Sequence, residues 1–407
     1  MSDTQLLGPL PGGMATGPRY RTSSRWAVSA AFYANGFVVG HWAPKIPVLA
    51  ERLAISESVL GALVIMFGLG ALVALLTGAV LTTRYGSASV VRWTSYMLAP
   101  GLLFISLSPN LFATALSMLW LGVFMGAMDG AMNANAVSVE KARGTAIMSS
   151  CHGFWSLGGL TGAPLGGWML ARYGELGHSL GVLVLTGILV IVAQFYYMDD
   201  RKLLAVDNGG DSDRPKSGRL VAMIPTGIGI YMLGLCAFLS FVPEGAILDW
   251  SALYLAKDHA APVAVAGYAF AAFSATMALM RFFGDALRNR LGDGKTFFIS
   301  ALVASAGFAV AGLAPGLPMV IAGFLVCGLG LANMVPIIFS AGGRFPGVEP
   351  AIGIGVVTAF GYSGALTAPA VLGFIAEHTG LGTIFAGFSA VLVLTALLSL
   401  SLRALRP

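Results

Sequence analysis

Gly78-Ala79-Val80-Leu81-Thr82-Thr83-Arg84-Tyr85-Gly86 and Gly284-Asp285-Ala286-Leu287-Arg288-Asn289-Arg290-Leu291-Gly292 share the pattern Gly-x-x-Leu-x-x-Arg-x-Gly at an offset of 206 residues. The same offset lays Gly122 on Gly328, Phe154 on Phe360, Gly158 on Gly364, Thr161 on Thr367 and Gly174 on Gly380. In a glycine-rich chain a few matched glycines carry little weight. A nine-residue pattern that closes the second long apolar stretch of each half carries much more. Two parallel repeats about an axis normal to the membrane is an arrangement of secondary transporters.

The composition around these motifs suits lipid. Of 407 residues, 57% are hydrophobic and 10% charged, against about 25% charged in an ordinary soluble domain, and the mean hydropathy is +0.83. So few charges cannot cover a water-soluble surface, and disorder needs low hydrophobicity. The 54 glycines have no collagen-like period and point to closely packed membrane helices. Cys151, Cys236 and Cys327 lie far apart in apolar stretches without Cys-x-x-Cys or Cys/His spacing, which argues against metal sites and disulfides. No cofactor is expected, since neither a nucleotide-binding motif nor a Ser/His/Asp spacing occurs. The net charge of +5 reads as membrane orientation, with no nucleic-acid partner expected.

About 20 apolar residues in a helix cross the hydrocarbon. Twelve such spans are predicted, near 26–48, 58–82, 91–108, 111–137, 145–170, 178–198, 222–254, 263–284, 296–314, 317–341, 351–375 and 382–402. With the N-terminus cytoplasmic, 18 Lys and Arg fall in inside segments and four outside, Lys45, Arg52, Arg172 and Lys257, while Arg281 lies within a span. That ratio places both termini inside. Residues 199–221 hold ten charges in 23 positions, a composition that reads as a cytoplasmic linker. The expected organisation is a cytoplasmic tail over 1–25, a six-helix bundle over 26–198, the linker, a second six-helix bundle over 222–402 and a tail over 403–407. The fold class is an all-α polytopic membrane protein of two pseudo-symmetric six-helix bundles.

The 6+6 layout, the central linker and the Gly–Arg motif after helices two and eight resemble the major facilitator superfamily over essentially the whole chain. The C-terminal copy of the motif keeps the family's acidic residue as Asp285, whereas the N-terminal copy has Ala79 there. Pro243-Glu244-Gly245 followed by Asp249-Trp250-Ser251 resembles the branch containing YbjJ-type proteins and the MosC membrane protein, distantly similar to fucose permease. Gly158-x-x-x-Gly162-Ala163-Pro164 resembles the glycine–proline motif of drug antiporters with the proline displaced by one. The resemblance implies a solute cavity between the halves and a gate at the cytoplasmic helix ends. It also implies a bacterial-type inner membrane and a monomer.

An ionisable group inside a span costs several kcal/mol, so each is a functional candidate. Asp129 in helix four and His152 in helix five flank the connection at 138–144 symmetrically, so a simple hairpin sets them at one depth, where a carboxylate and an imidazole can exchange a proton. Glu244 follows the kink expected at Pro243. Asn35 and His41 in helix one, Asn133 in helix four, Trp155 in helix five, Asn333 in helix ten and Tyr362 in helix eleven add hydrogen-bonding and stacking groups to a substrate and proton pathway; each also suits ordinary interhelical bonding. Lys45 can snorkel to the outer surface. Arg84, Arg281, Asp285 and Arg290 at the cytoplasmic side, and Asp249 with Trp250 at the outer side, are the candidate gates.

The expected function is proton-coupled secondary transport of a small polar organic solute, the alternatives being a drug or metabolite efflux antiporter and a transporter-like sensor. Cysteines introduced at Asp207 and Asp258 test the orientation. In intact cells an impermeant thiol reagent should label the second and spare the first; labelling of the first alone overturns the topology.

Overall fold

The protein is described by a computed structural model covering residues 22–145, 147–201, 225 and 227–402. Residues 1–21 and 403–407 of the expected tails and residues 202–221 of the expected linker lie outside the described residues, and residues 22–25 of the expected N-terminal tail already belong to the first helix. No strand occurs among the described residues. Fourteen helices follow one another among the described residues: α1 (Thr22–Leu53), α2 (Glu57–Tyr85), α3 (Ser87–Leu98), α4 (Gly101–Leu107), α5 (Leu111–Arg143), α6 (Met148–Ala193), α7 (Ile228–Asp258), α8 (Val263–Ala266), α9 (Tyr268–Leu291), α10 (Asp293–Gly312), α11 (Leu317–Leu331), α12 (Met334–Gly343), α13 (Pro350–Thr379) and α14 (Leu381–Ser401).

Among the described residues ten helical segments are long and apolar enough to span a membrane, and one of them, Ser150–Ala193, runs for 44 residues. That length is two crossings, and the helix breaks between them at Gly174, φ 70°. The pairs α3/α4, α8/α9 and α11/α12 each make one interrupted span. Although α1 falls short of that apolarity, it is buried along most of its length, Asn35, His41 and Lys45 included. Its polar groups face protein instead of lipid. These passes are consistent with twelve.

The repeat is visible in the backbone itself. Gly86 and Gly292, 206 residues apart, both take positive φ (81° and 79°), and so do Gly174 and Gly380 (70° and 79°). Each lets one helix end and the next begin with almost no loop, a conformation that a side chain would strain.

Glycine also sets how closely the helices pack. Gly158, Gly162 and Gly166 of α6 lie in turn against Tyr33 and Phe37, Gly40, and His41 with Pro44 of α1. On the other face of α6, Gly159 and Gly167 meet Phe270 and the Val263–Ala264 backbone of the second half. Between α2 and α5, Gly122 is pressed on the Phe67 carbonyl. In lipid such close backbone approach replaces the hydrophobic drive that water would supply.

The halves meet along α6 with α8 and α9, α2 with α13, and α1 with α7. On the side opposite the start of α1, here the far side, Gly61 packs on Pro369, Gly373 on Glu57, Lys257 pairs with Glu57, and Ser58 N–H donates to Glu377 at 3.3 Å. The far side is therefore closed. Over-packing a helix contact costs about 1–3 kcal/mol, so Gly122→Ala should lower the thermal midpoint by several degrees. Gly187→Ala, where an added Cβ meets open space, should leave it unchanged or raise it, because alanine favours helix by up to about 1 kcal/mol. Melting curves of the purified variants check both.

Candidate functional site

Arg281 lies well inside α9, ten residues before its end, and its guanidinium joins three helices. Nη1 donates to Ser156 Oγ of α6 at 2.8 Å, and Nη2 stands 3.5 Å from Glu244 Oε1 of α7. The two charged side chains are only 18% and 25% exposed. Glu244 sits near the middle of α7, just past Pro243, so this is a mid-membrane site and not a helix end. His152, one turn before Ser156 on α6, lies within reach of the Arg281 charge, its ring edge-on to Phe32 at 5.1 Å. Burying a guanidinium is tolerable only when it is paired and hydrogen-bonded, and here the partners come from both halves.

A second polar group lies on α5. Asn133 donates to the Asp129 carbonyl at 2.8 Å and its carboxylate at 3.3 Å. The Asp129 charge reaches Tyr362 of α13 across the interface. Asn35 of α1 accepts from Trp155 Nε1 at 2.9 Å and donates to the Met125 carbonyl at 3.4 Å, tying α1, α5 and α6. Among the described residues no hydrogen bond or ion pair joins Asp129 to His152. The reason is packing: the glycines of α6 draw it onto α1 rather than α5.

His41 and Lys45 face inward within the first half. His41 Nδ1 and His178 Nε2 are 3.0 Å apart. Lys45, fully buried, donates to Glu175 Oε1 at 2.8 Å, Ser106 Oγ at 2.6 Å and Ser179 Oγ at 3.2 Å. Arg52 closes the network on Glu175 at 2.9 Å. Lys45 therefore does not snorkel. Asn333 is buried at the break between α11 and α12, its side chain against Gly284 within the second half.

The remaining gate candidates separate. Arg84 and Arg290 are exposed, Arg84 lying over the Tyr85 ring, and the Asp285 side chain lies outside the described residues. On the side where α1 begins, Asp293 instead pairs with Arg288 at 2.9 Å and with Arg344 at 2.6 Å. The corresponding corner of the first half is held by Asp200, which accepts from Ser87 N at 3.0 Å, from the Ser87 hydroxyl, and from Ser138 Oγ at 2.9 Å. Ser87 and Asp293 are 206 residues apart, as are Ser138 and Arg344, so the two halves clamp the same corner with different chemistry. Beside it, hydrogen bonds from Arg201 hold the exposed Asp199 carboxyl below the usual carboxylate range. Asp249 lies near the Trp42 side chain of α1 and borders a cavity between α2, α7 and α13.

A duplicated helical bundle whose buried charges are shared between its halves defines a membrane transporter. The family model of the Major Facilitator Superfamily matches residues 26–251 and 233–407. An uncharacterized MFS-type transporter of Yersinia pestis is 33% identical over 375 residues, 92% of this chain and 94% of that protein. The membrane protein MosC of Rhizobium meliloti is 31% identical over 385 residues, covering 94% and 90%. A variant of the nucleoside transporter NupG shares the fold at a TM-score of 0.74 and 14% identity, covering 93% of this chain and 99% of that one. The chain belongs to the major facilitator superfamily, and it is a multi-pass secondary transporter.

Removing one partner of a buried ion pair costs about 3–5 kcal/mol, and removing both costs far less. Lys45→Met and Glu175→Gln should each lower the thermal midpoint by several degrees, and the double variant by less than their sum. Additive losses in the melting curves would show the pair to be uncoupled.

Proposed function

We propose that this transporter moves a small polar organic solute, of sugar, polyol or amino-sugar type, across a bacterial inner membrane by proton-coupled alternating access, as a monomer with both termini cytoplasmic. The observation that carries the reading is Arg281, held at once by Glu244 of its own half and Ser156 of the other. A solute with several hydroxyls can accept from the guanidinium in place of Ser156 and donate to Glu244. Asp129, Asn133, Tyr362 and the Asn35–Trp155 pair supply further donors and acceptors. A proton on Glu244 removes the charge that balances Arg281, so the pairing of the halves changes with protonation. Coupling requires a group that binds protons differently in the two access states, and a carboxylate whose cation is shared between halves meets that requirement. With the N-terminus inside, the closed far side is the outer face.

A thermal-shift screen over sugars, polyols and amino sugars identifies a solute for flux measurements. In vesicles Glu244→Gln and Asp129→Asn should then abolish accumulation driven by a proton gradient while retaining downhill exchange. If both variants concentrate the solute as wild type does, the carboxylates are structural and the coupling assignment is wrong.

A further inference from the structure

A cavity of about 510 Å³ lies between α2 of the first half and α7 and α13 of the second, within the range of sites for drug-sized ligands. Its walls are apolar and aromatic, with Phe67, Phe241, Trp250 and Tyr362 among them, and Asp249 is the one charged side chain among the described residues of the lining. Neither α2 between Val64 and Leu72 nor α13 between Thr358 and Leu372 carries a charged residue. The other acid of α7, Glu244, already has Arg281, whereas Asp249 has no ion-pair partner among the described residues. The nearby Trp42 indole brings no positive charge. A carboxylate in an apolar, aromatic chamber is short of a cation, and aromatic faces attract cations as well.

We propose that this cavity binds lipophilic organic cations, with Asp249 as their counter-charge. The assignment concerns Asp249 and not the Arg281 centre, where the protein supplies its own cation and a polar solute suits the partners; Tyr362 is the wall that the two share. It therefore stands whether or not the proton-coupling reading holds. The shape of the cavity gives an independent handle. Gly245 is in its lining, and a Cβ added there meets nothing within 4 Å, so a leucine at this position fills the chamber without displacing a helix.

Equilibrium dialysis of the purified full-length protein with tetraphenylphosphonium tests the proposal, with triphenylphosphine oxide as the neutral and tetraphenylborate as the anionic comparator. Wild type should bind the cation and discriminate against the anion. Asp249→Asn should weaken cation binding by about tenfold or more, the scale of a desolvated charge pair, while holding triphenylphosphine oxide as before, which also shows the variant to be folded. Gly245→Leu should lose both ligands. Unchanged cation binding in Asp249→Asn, or equal binding of tetraphenylborate, would each overturn the assignment. Failure of the coupling reading shows instead in solute accumulation by Glu244→Gln, which this measurement does not touch.

Discussion

A guanidinium within the hydrocarbon must be paired wherever it goes, and Arg281 takes its partners from opposite halves of the molecule. That requirement links the chemistry of the site to the arrangement of the bundles. If α6 moves relative to α9, the Ser156 bond breaks, and a replacement acceptor has to arrive. A solute oxygen can be that acceptor. If Glu244 is neutralised, the cation needs a new counter-charge, and the site is biased towards another arrangement. A buried pair of this kind adds little to stability; in the proposed mechanism its consequence is that solute, proton and inter-half contact depend on one another.

The pair can act as a link only because the backbone around it approaches closely. Gly158, Gly162 and Gly166 bind α6 to α1 in one rigid unit, while Gly159 and Gly167 present a thin surface to α8 and α9. Smaller surfaces slide more readily than interlocked side chains, so the same helix is fixed on one face and adjustable on the other. The corners built on Asp200 and on Asp293 hold each half together at the side where α1 begins. On the far side Glu57, Lys257 and Glu377 join the halves.

Much of this was legible in the sequence because it follows from periodic composition. The apolar segments, the 206-residue repeat and the superfamily are all properties of long stretches, and the positive-φ glycines at 86, 174, 292 and 380 fall on the repeated positions. The site was legible only in its residue types. Asp129 and His152 do lie in the membrane, but a depth argument along two consecutive helices could not show that α6 turns to α1. Arg281 was read as a helix-end charge because the inner limit of span eight was drawn close to it, whereas α9 continues to Leu291. Glu175 and His178 fell at the connection between two predicted spans and were passed over. Lys45 gave a usable signal there: a lysine in a span needs an acid at its own depth, and Glu175 is the acid of the neighbouring connection. Asp200 was counted with the linker, though it is fully buried against Ser87. Local charge density describes solvation well for a run of residues and poorly for a single one.

The central claim is that the charge on Glu244 governs how the halves pair through Arg281. It is tested most directly by pulsed electron resonance distances between spin labels at Tyr85 and Ile354, exposed positions near the ends of α2 and α13 on the side where α1 begins. In a background lacking the native cysteines, the distance distribution should shift between acidic and mildly alkaline pH in the otherwise wild-type protein. In Glu244→Gln it should stay at one distribution throughout. A pH-dependent shift of the same size in Glu244→Gln would contradict the account, because the switch would then lie elsewhere.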